Sequence, residues 1–200
     1  MLKLSLLAAA MFAAGPAFAG PAIDAAAPAF AGETSAGETI SLAQFKGELV
    51  VLEWTNDGCP FVQKHYQTGN MQKTQRAANE AGVVWITVIS SAPGKQGHAD
   101  AARANELTVG YGAAPDHVLL DPEGVVGKAY GAKTTPQMAL IDEKGVLRYA
   151  GAIDDRPTAD HASIEGATNY LLAALGEVSA GKPVSVRETR PYGCSVKYGS

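Results

Sequence analysis

Leu49-Val50-Val51-Leu52 is an unbroken aliphatic run with no polar residue to turn toward water. Alternation would mark a strand with one wet face, so an uninterrupted run marks a strand covered on both sides, as parallel strands are between layers of helices. Residues 83–89 repeat the pattern, and residues 117–120 supply a third, shorter run. Between the first two, helical spacing runs from 60 to about 81. It is interrupted at Thr68-Gly69-Asn70, with Asn70 placed to cap the second segment. A loop with Pro93, Gly94 and Gly97 precedes a short helix over 99–107 that Asp100 helps to start. Asp121-Pro122-Glu123-Gly124 is a turn by composition. Residues 137–141 and 146–150 flank Asp142-Glu143-Lys144-Gly145 as a hairpin, and 164–175 is the last expected helix. Strand, helix, strand, helix, strand, then a hairpin and a closing helix predicts an α/β fold with a central mixed sheet flanked by helices. A flavodoxin-like sheet opens in the same order, so function has to be read from the site.

The N-terminus bears on compartment. Met1-Leu2-Lys3 is a short basic start, an apolar run follows to Ala14, and Ala17-Phe18-Ala19 has the small-x-small pattern of a secretory cleavage site. Residues 1–19 are therefore expected to be a signal peptide, too short and too interrupted by Gly15-Pro16 to be a span, with no stable membrane insertion of the mature chain. Residues 20–37 read as a tether and domain opening that becomes ordered near Phe30, 38–180 as the domain, and 181–200 as a tail rich enough in Gly and Pro to stay mobile. A periplasmic location follows. With 16 Lys+Arg against 20 Asp+Glu, the net charge of −4 supplies no basic field for a phosphate backbone, which excludes nucleic acid as a partner. Two cysteines in 200 residues exclude a disulfide-dense scaffold or a four-thiolate zinc site. No cofactor and no metal site are called for by this pattern.

In Glu53-Trp54-Thr55-Asn56-Asp57-Gly58-Cys59-Pro60, a strand hands over to a helix: Gly58 allows a tight turn and Pro60 suits a first helical position. Cys59 then sits at a helix N-terminus, where unpaired amides and the helix dipole favour a thiolate and make sulfur a nucleophile. Lys64 and His65, one to two turns on, add positive potential, although His65 reads more simply as a partly exposed helix residue. The alternative for Cys59 is a small buried hydrophobe or half of a structural staple. Trp54, Phe61 and Tyr66 are aromatic neighbours in sequence that line either a contact near Cys59 or the core.

The run LVVLEWTNDGCPFV, the Thr135-Pro136 pair before the hairpin and MALIDEKGVLRYAG together resemble the thioredoxin-fold redoxins, the superfamily of thioredoxins and the peroxiredoxin-like (alkyl hydroperoxide reductase/thiol-specific antioxidant) group. The likeness covers roughly residues 28–178. With its tail, the chain is most similar to an exported subgroup that pairs an N-terminal Gly-Cys-Pro with a C-terminal Gly-Cys-Ser, here Gly193-Cys194-Ser195. The resemblance implies a thioredoxin-like fold and a redox-active Cys59. It places Pro136 as a proline held in cis beside that sulfur, turning the Thr135 backbone toward an incoming chain. Glu53 falls where thioredoxins keep a buried acid that handles protons, an acid whose pKa desolvation would raise.

Departures narrow the chemistry. Val62 stands where a Cys-x-x-Cys motif has its second thiol, so any resolving thiol is remote. Leu52 and Asn56 stand where peroxiredoxins have proline and threonine, leaving Thr55 or Asn56 as substitute donors, and Pro136 stands where they carry an arginine. On this resemblance Cys194 is a resolving thiol for Cys59, acting in disulfide exchange or peroxide reduction with a protein disulfide or peroxide as substrate and a thioredoxin-like reductant. Read statically, the same pair is a staple closing a loop of about 135 residues, worth roughly 5 kcal/mol in the entropy model, on a non-catalytic binding module. A copper site using a thiolate, as at Cys59, with His65 or another histidine is the third reading.

Overall fold

The computed structural model describes residues 20–199; the expected signal peptide lies outside them. A small antiparallel pair opens the chain, β1 (Ala31–Glu33) with β2 (Thr39–Ser41), followed by one turn of 3-10 helix at Leu42–Phe45. The central sheet is built from β3 (Val50–Trp54), β4 (Val84–Ile89), β5 (His117–Leu120), β7 (Gln137–Ile141) and β8 (Leu147–Gly151) in the order β5-β4-β3-β7-β8. Strands β3, β4 and β5 are parallel, whereas β7 is antiparallel to β3 and β8 antiparallel to β7. This is the mixed sheet expected from the sequence, in a thioredoxin-like arrangement.

Helices cover both faces, which is why every residue of β3 is buried. Val51 points into one layer with Trp85, Met138 and Leu140, where α1 (Pro60–Gln67), α2 (Asn70–Glu80) and α5 (Tyr170–Ser179) contribute Val62, Tyr66, Met71, Ala78, Leu171 and Leu175. Val50, Leu52 and Trp54 point into the other, with Ile86, Val88, Ile141, Phe30 and Val126 of α4 (Val125–Ala129). Trp54 therefore faces away from Cys59, while Phe61 and Tyr66 share its layer. Each fully buried large aliphatic side chain contributes about 1.5–3 kcal/mol, so the two layers carry most of the stabilisation.

Helix boundaries depart from expectation where a local residue intervenes. The break between α1 and α2 falls as read, but Gly69 makes it with a positive φ of 75°, and Asn70 is the first helical residue rather than the cap. Helix α3 (Ala101–Tyr111) starts later than expected and is capped by Asp100, whose side chain accepts from the Arg103 amide. The last helix was placed too early. His161–Ile164 forms only a 3-10 turn, Gly166 turns the chain at φ 71°, and the Asn169 side chain accepts from the Leu172 amide to start α5.

Both ends of the domain are more fully packed than the composition suggests. In the segment read as a tether, Asp24 and Ala27 already donate backbone hydrogen bonds to Leu147 and Gly145, and Asp24 pairs with Arg148 and Arg187. The tail read as mobile runs back across the body. Its Glu188 bridges to Ala150 of β8, and its β9 (Cys194–Ser195) pairs antiparallel with β6 (Thr134–Thr135). Beyond β9, the Ala92 amide donates to Lys197 O, and the Tyr198 hydroxyl to Ala132 O at 2.7 Å. Among the described residues no helix is long and apolar enough to cross a membrane.

Candidate active site

Cys59 is the N-cap of α1 and Pro60 its first residue, as the sequence indicates. The turn before it is closed by the Cys59 amide donating to Asn56 O at 3.0 Å and the Gly58 amide donating to Asn56 Oδ1 at 3.0 Å. Gly58 does not adopt a positive φ; its missing side chain instead leaves room for Gln96, which donates to Gly58 O at 2.9 Å. Asn56 thus shapes the turn, and Thr55 ties it to β4 through a backbone bond to Val88 O. Neither donates to the sulfur. Both line a separate cleft under α3.

The Cys59 side chain is wholly buried. Its thiol donates to Thr135 O at 3.2 Å and accepts from the backbone amide of Cys194 at 3.4 Å. Thr135 and Pro136 are joined by a cis peptide, as the resemblance implies. The chain at the Thr135 edge is the protein's own tail, because β9 fills it. The structure therefore brings Cys59, Thr135, Pro136 and Cys194 together at one place, with both cysteines as free thiols. Burial, and after it the neighbouring Cys59 sulfur, push the half-exposed Cys194 thiol up to about 11.

Glu53 lies on the same side of the sheet and is fully buried. Its carboxylate accepts from Tyr66 (2.7 Å), Trp85 Nε1 (2.9 Å), Gln75 Nε2 (3.1 Å) and Thr87 (3.2 Å). No hydrogen bond joins it to Cys59; the link is Tyr66, which packs in the same cluster as the sulfur. Burial raises the Glu53 pKa against the pull of those four donors. The folded state therefore holds this proton more tightly than the unfolded chain does. Stability is full below about pH 4.3, the unperturbed Glu value, and is lost as pH rises through the raised value. Glu53→Gln, which mimics the protonated acid, is expected to flatten this dependence and to be the more stable form at pH 8. Urea denaturation of both proteins between pH 4 and 8 checks it; parallel curves would refute it.

Lys64 and His65, read in the sequence as sources of positive potential, meet two residues given no site role there, Asp154 and Tyr192 of the tail. The Tyr192 hydroxyl donates to Asp154 Oδ1 and lies 3.1 Å from His65 Nε2 and 3.4 Å from Lys64 Nζ. His65, expected to be partly exposed, is completely buried, as is Lys64. Burial, then the Lys64 charge, lowers the His65 pKa to about 3, so its ring is neutral at working pH. The Asn70 amide nitrogen lies 2.7 Å from Nδ1, on the side of the ring away from Tyr192. Both ring nitrogens are thus engaged within the protein. Among the described residues no three His, Cys, Asp or Glu side chains form a metal-sized group. Lys64 Nζ donates to Arg156 O at 2.8 Å and stands 3.9 Å from Asp154 Oδ2; burial lowers its pKa while the Asp154 charge opposes that. The signal available in the sequence was the tyrosine two residues before Cys194 together with two basic residues on the helix that Cys59 opens.

Comparison with solved structures gives the same fold. A hypothetical protein of Sinorhizobium meliloti 1021 is 24% identical over 91% of this chain and 97% of that one, with a TM-score of 0.76. An uncharacterized conserved protein of Geobacillus kaustophilus is 24% identical over 89% of this chain and 93% of that one, at 0.74. A putative thiol:disulfide interchange protein DsbE of Chlorobium tepidum is 25% identical over 78% of this chain and 99% of that one, at 0.56. No curated protein matches. The redoxin family model matches residues 22–168, which takes in Cys59, Thr135 and Pro136 and stops before the tail that carries Cys194. On the extent of that match, the chain belongs to the redoxin family.

Proposed function

We propose that the protein is an exported, periplasmic thiol oxidoreductase of the peroxiredoxin-like kind, with Cys59 as nucleophile and Cys194 as resolving thiol. The observation that carries the reading is the Cys194 amide 3.4 Å from the Cys59 sulfur, held there by the pairing of β9 with β6. The segment bearing the second thiol is docked on the first although 135 residues separate them. With a hydroperoxide, the Cys59 sulfur attacks the terminal oxygen, the O–O bond breaks, an alcohol or water leaves, and Cys59 becomes a sulfenic acid. The Cys194 sulfur then attacks that sulfur, the S–OH bond breaks, water leaves, and a Cys59–Cys194 disulfide forms. With a disulfide as oxidant, Cys59 forms a mixed disulfide, one thiol leaves, and Cys194 releases the second. A thioredoxin-like dithiol supplies the two electrons that restore the pair. Export to an oxidising compartment, expected from the N-terminal segment, suits a thiol that cycles through disulfides.

Non-reducing mass mapping before and after one equivalent of hydrogen peroxide, and separately of glutathione disulfide, tests the reading. A Cys59–Cys194 bond that forms with at least one oxidant and is reversed by a thioredoxin-like donor is expected. Failure of both oxidants to form it overturns the reading, and a bond that resists the donor replaces it with a structural staple.

A further inference from the structure

The tail is held on both sides of Cys194, and the two anchors differ in kind. Downstream, Val196 packs into the second core layer, and backbone bonds at Ala92 and Lys133 reach residues 197 and 196. Upstream, residues 187–189 are tied to Ala150 and Ala152, and between them and Cys194 the nearest anchor is the Tyr192 hydroxyl in a polar socket. Tyr192 reaches Asp154, His65 and Lys64, all buried, and its ring packs against Phe61 at 5.8 Å between centroids, tilted by 56°. Two of the three socket residues stand on α1, five and six positions after Cys59, and the third follows β8.

A buried charge pair is a poor way merely to add stability, since apolar residues of similar volume do as well or better. What it does supply is direction. Asp154 Oδ2 has no hydrogen-bond partner, and Oδ1 accepts from the Arg156 amide at 3.0 Å and from the Tyr192 hydroxyl, the one side-chain donor to this carboxylate among the described residues. That hydroxyl sets residues 192–195 along Thr135. In this closed state the Cys59 sulfur is out of reach. Its residue has no exposed surface, and the strand edge beside it is taken by β9.

We propose that the socket formed by Asp154, His65 and Lys64 around the Tyr192 hydroxyl is a clasp that positions Cys194 against Cys59 and whose opening admits outside reactants to Cys59. This rests on the two-cysteine reading above for its first half only. Closed, the clasp favours bond formation within the chain; open, it favours reaction with something else. Tyr192 and Asp154 are positioning residues, and loosening them moves two measurable quantities in opposite senses.

The test uses Tyr192→Phe, which keeps the ring on Phe61 and removes the hydroxyl. The first readout is the equilibrium in which the dithiol and one glutathione disulfide give the Cys59–Cys194 disulfide and two glutathione thiols. The constant is expected to fall at least about tenfold in the variant, a shift of about 30 mV for two electrons. For the second, Cys59 alkylation by iodoacetamide is timed in a Cys194→Ser background, where Tyr192→Phe is expected to raise the rate about tenfold or more. His65→Gln, which alters the socket from the α1 side, is expected to move both in the same directions by less. Val118→Ala, in the separate cluster that β5 forms with Ile89, Ala99 and Ala104, controls for general destabilisation and leaves both unchanged. A folded Tyr192→Phe protein with both quantities unchanged, or a Val118→Ala protein that shifts them equally, overturns the clasp. If the wild-type chain forms no Cys59–Cys194 disulfide with glutathione disulfide, the alkylation rates alone decide whether the clasp gates Cys59; if hydrogen peroxide forms none either, the two-cysteine reading fails as well.

Discussion

Cys59→Ser lowers turnover with peroxide and with disulfide by at least about a thousandfold, the scale expected when a covalent nucleophile is removed and only binding is left. The substitution is expected to leave the fold intact. A serine hydroxyl donates to Thr135 O and accepts from the Cys194 amide as the thiol does. Cys194→Ser gives a different loss. The first step survives, one equivalent of oxidant is consumed, and the chain stops with Cys59 as a sulfenic acid or mixed disulfide, which mass spectrometry detects as a single adduct. If Cys59→Ser retained more than a few per cent of the wild-type rate, Cys59 would not be the nucleophile; equal single-turnover behaviour of wild type and Cys194→Ser would remove Cys194 from the cycle.

Gly193→Ala has the second largest expected effect, and it acts through the backbone. Gly193 has a φ of 124°, and a Cβ there would run into the Thr135 carbonyl, the group that accepts from Cys59. Holding a non-glycine residue in such a conformation costs about 1–3 kcal/mol before the clash is counted. The chain has a cheaper escape, which is to unpair β9 from β6. The equilibrium for closing the Cys59–Cys194 disulfide is therefore expected to fall about 10- to 100-fold, with the sheet unaffected. Redox titration against glutathione together with thermal unfolding separates the two: a large drop in melting temperature with an unchanged titration would show that Gly193 serves the fold and not the thiol pair.

How much of this was legible in the sequence depends on whether the determinant is local. The strands of the sheet were readable because their aliphatic runs are continuous, and the N-terminus of α1 because proline follows cysteine directly. Glu53 was readable as a buried acid because it interrupts an apolar strand by one position. Tail docking was not, because the alternation Cys194-Ser195-Val196-Lys197-Tyr198 is short and names no partner edge, and the tail takes its register from β6 and β8, far away in the chain. Lys64 and His65 were misjudged for a related reason. Charge on a helix ordinarily means exposure, and what buries them is Asp154 and Tyr192, which arrive 90 and 128 positions after Lys64. The start of α5 was missed because Ile164 continues an apolar pattern that Gly166 then breaks.

The docked tail also sets an order in time. A ribosome adding about 5–20 residues per second needs about 7 to 27 seconds to pass from Cys59 to Cys194. Throughout that interval the nucleophile is on a chain whose own cover has not been made. A disulfide met during synthesis would reach residue 59 before residue 194 exists, and a mixed disulfide formed there would be resolved by thiol–disulfide exchange only after the last residues emerge. Maturation, rather than only turnover, is then a process in which the redox state of the surroundings takes part.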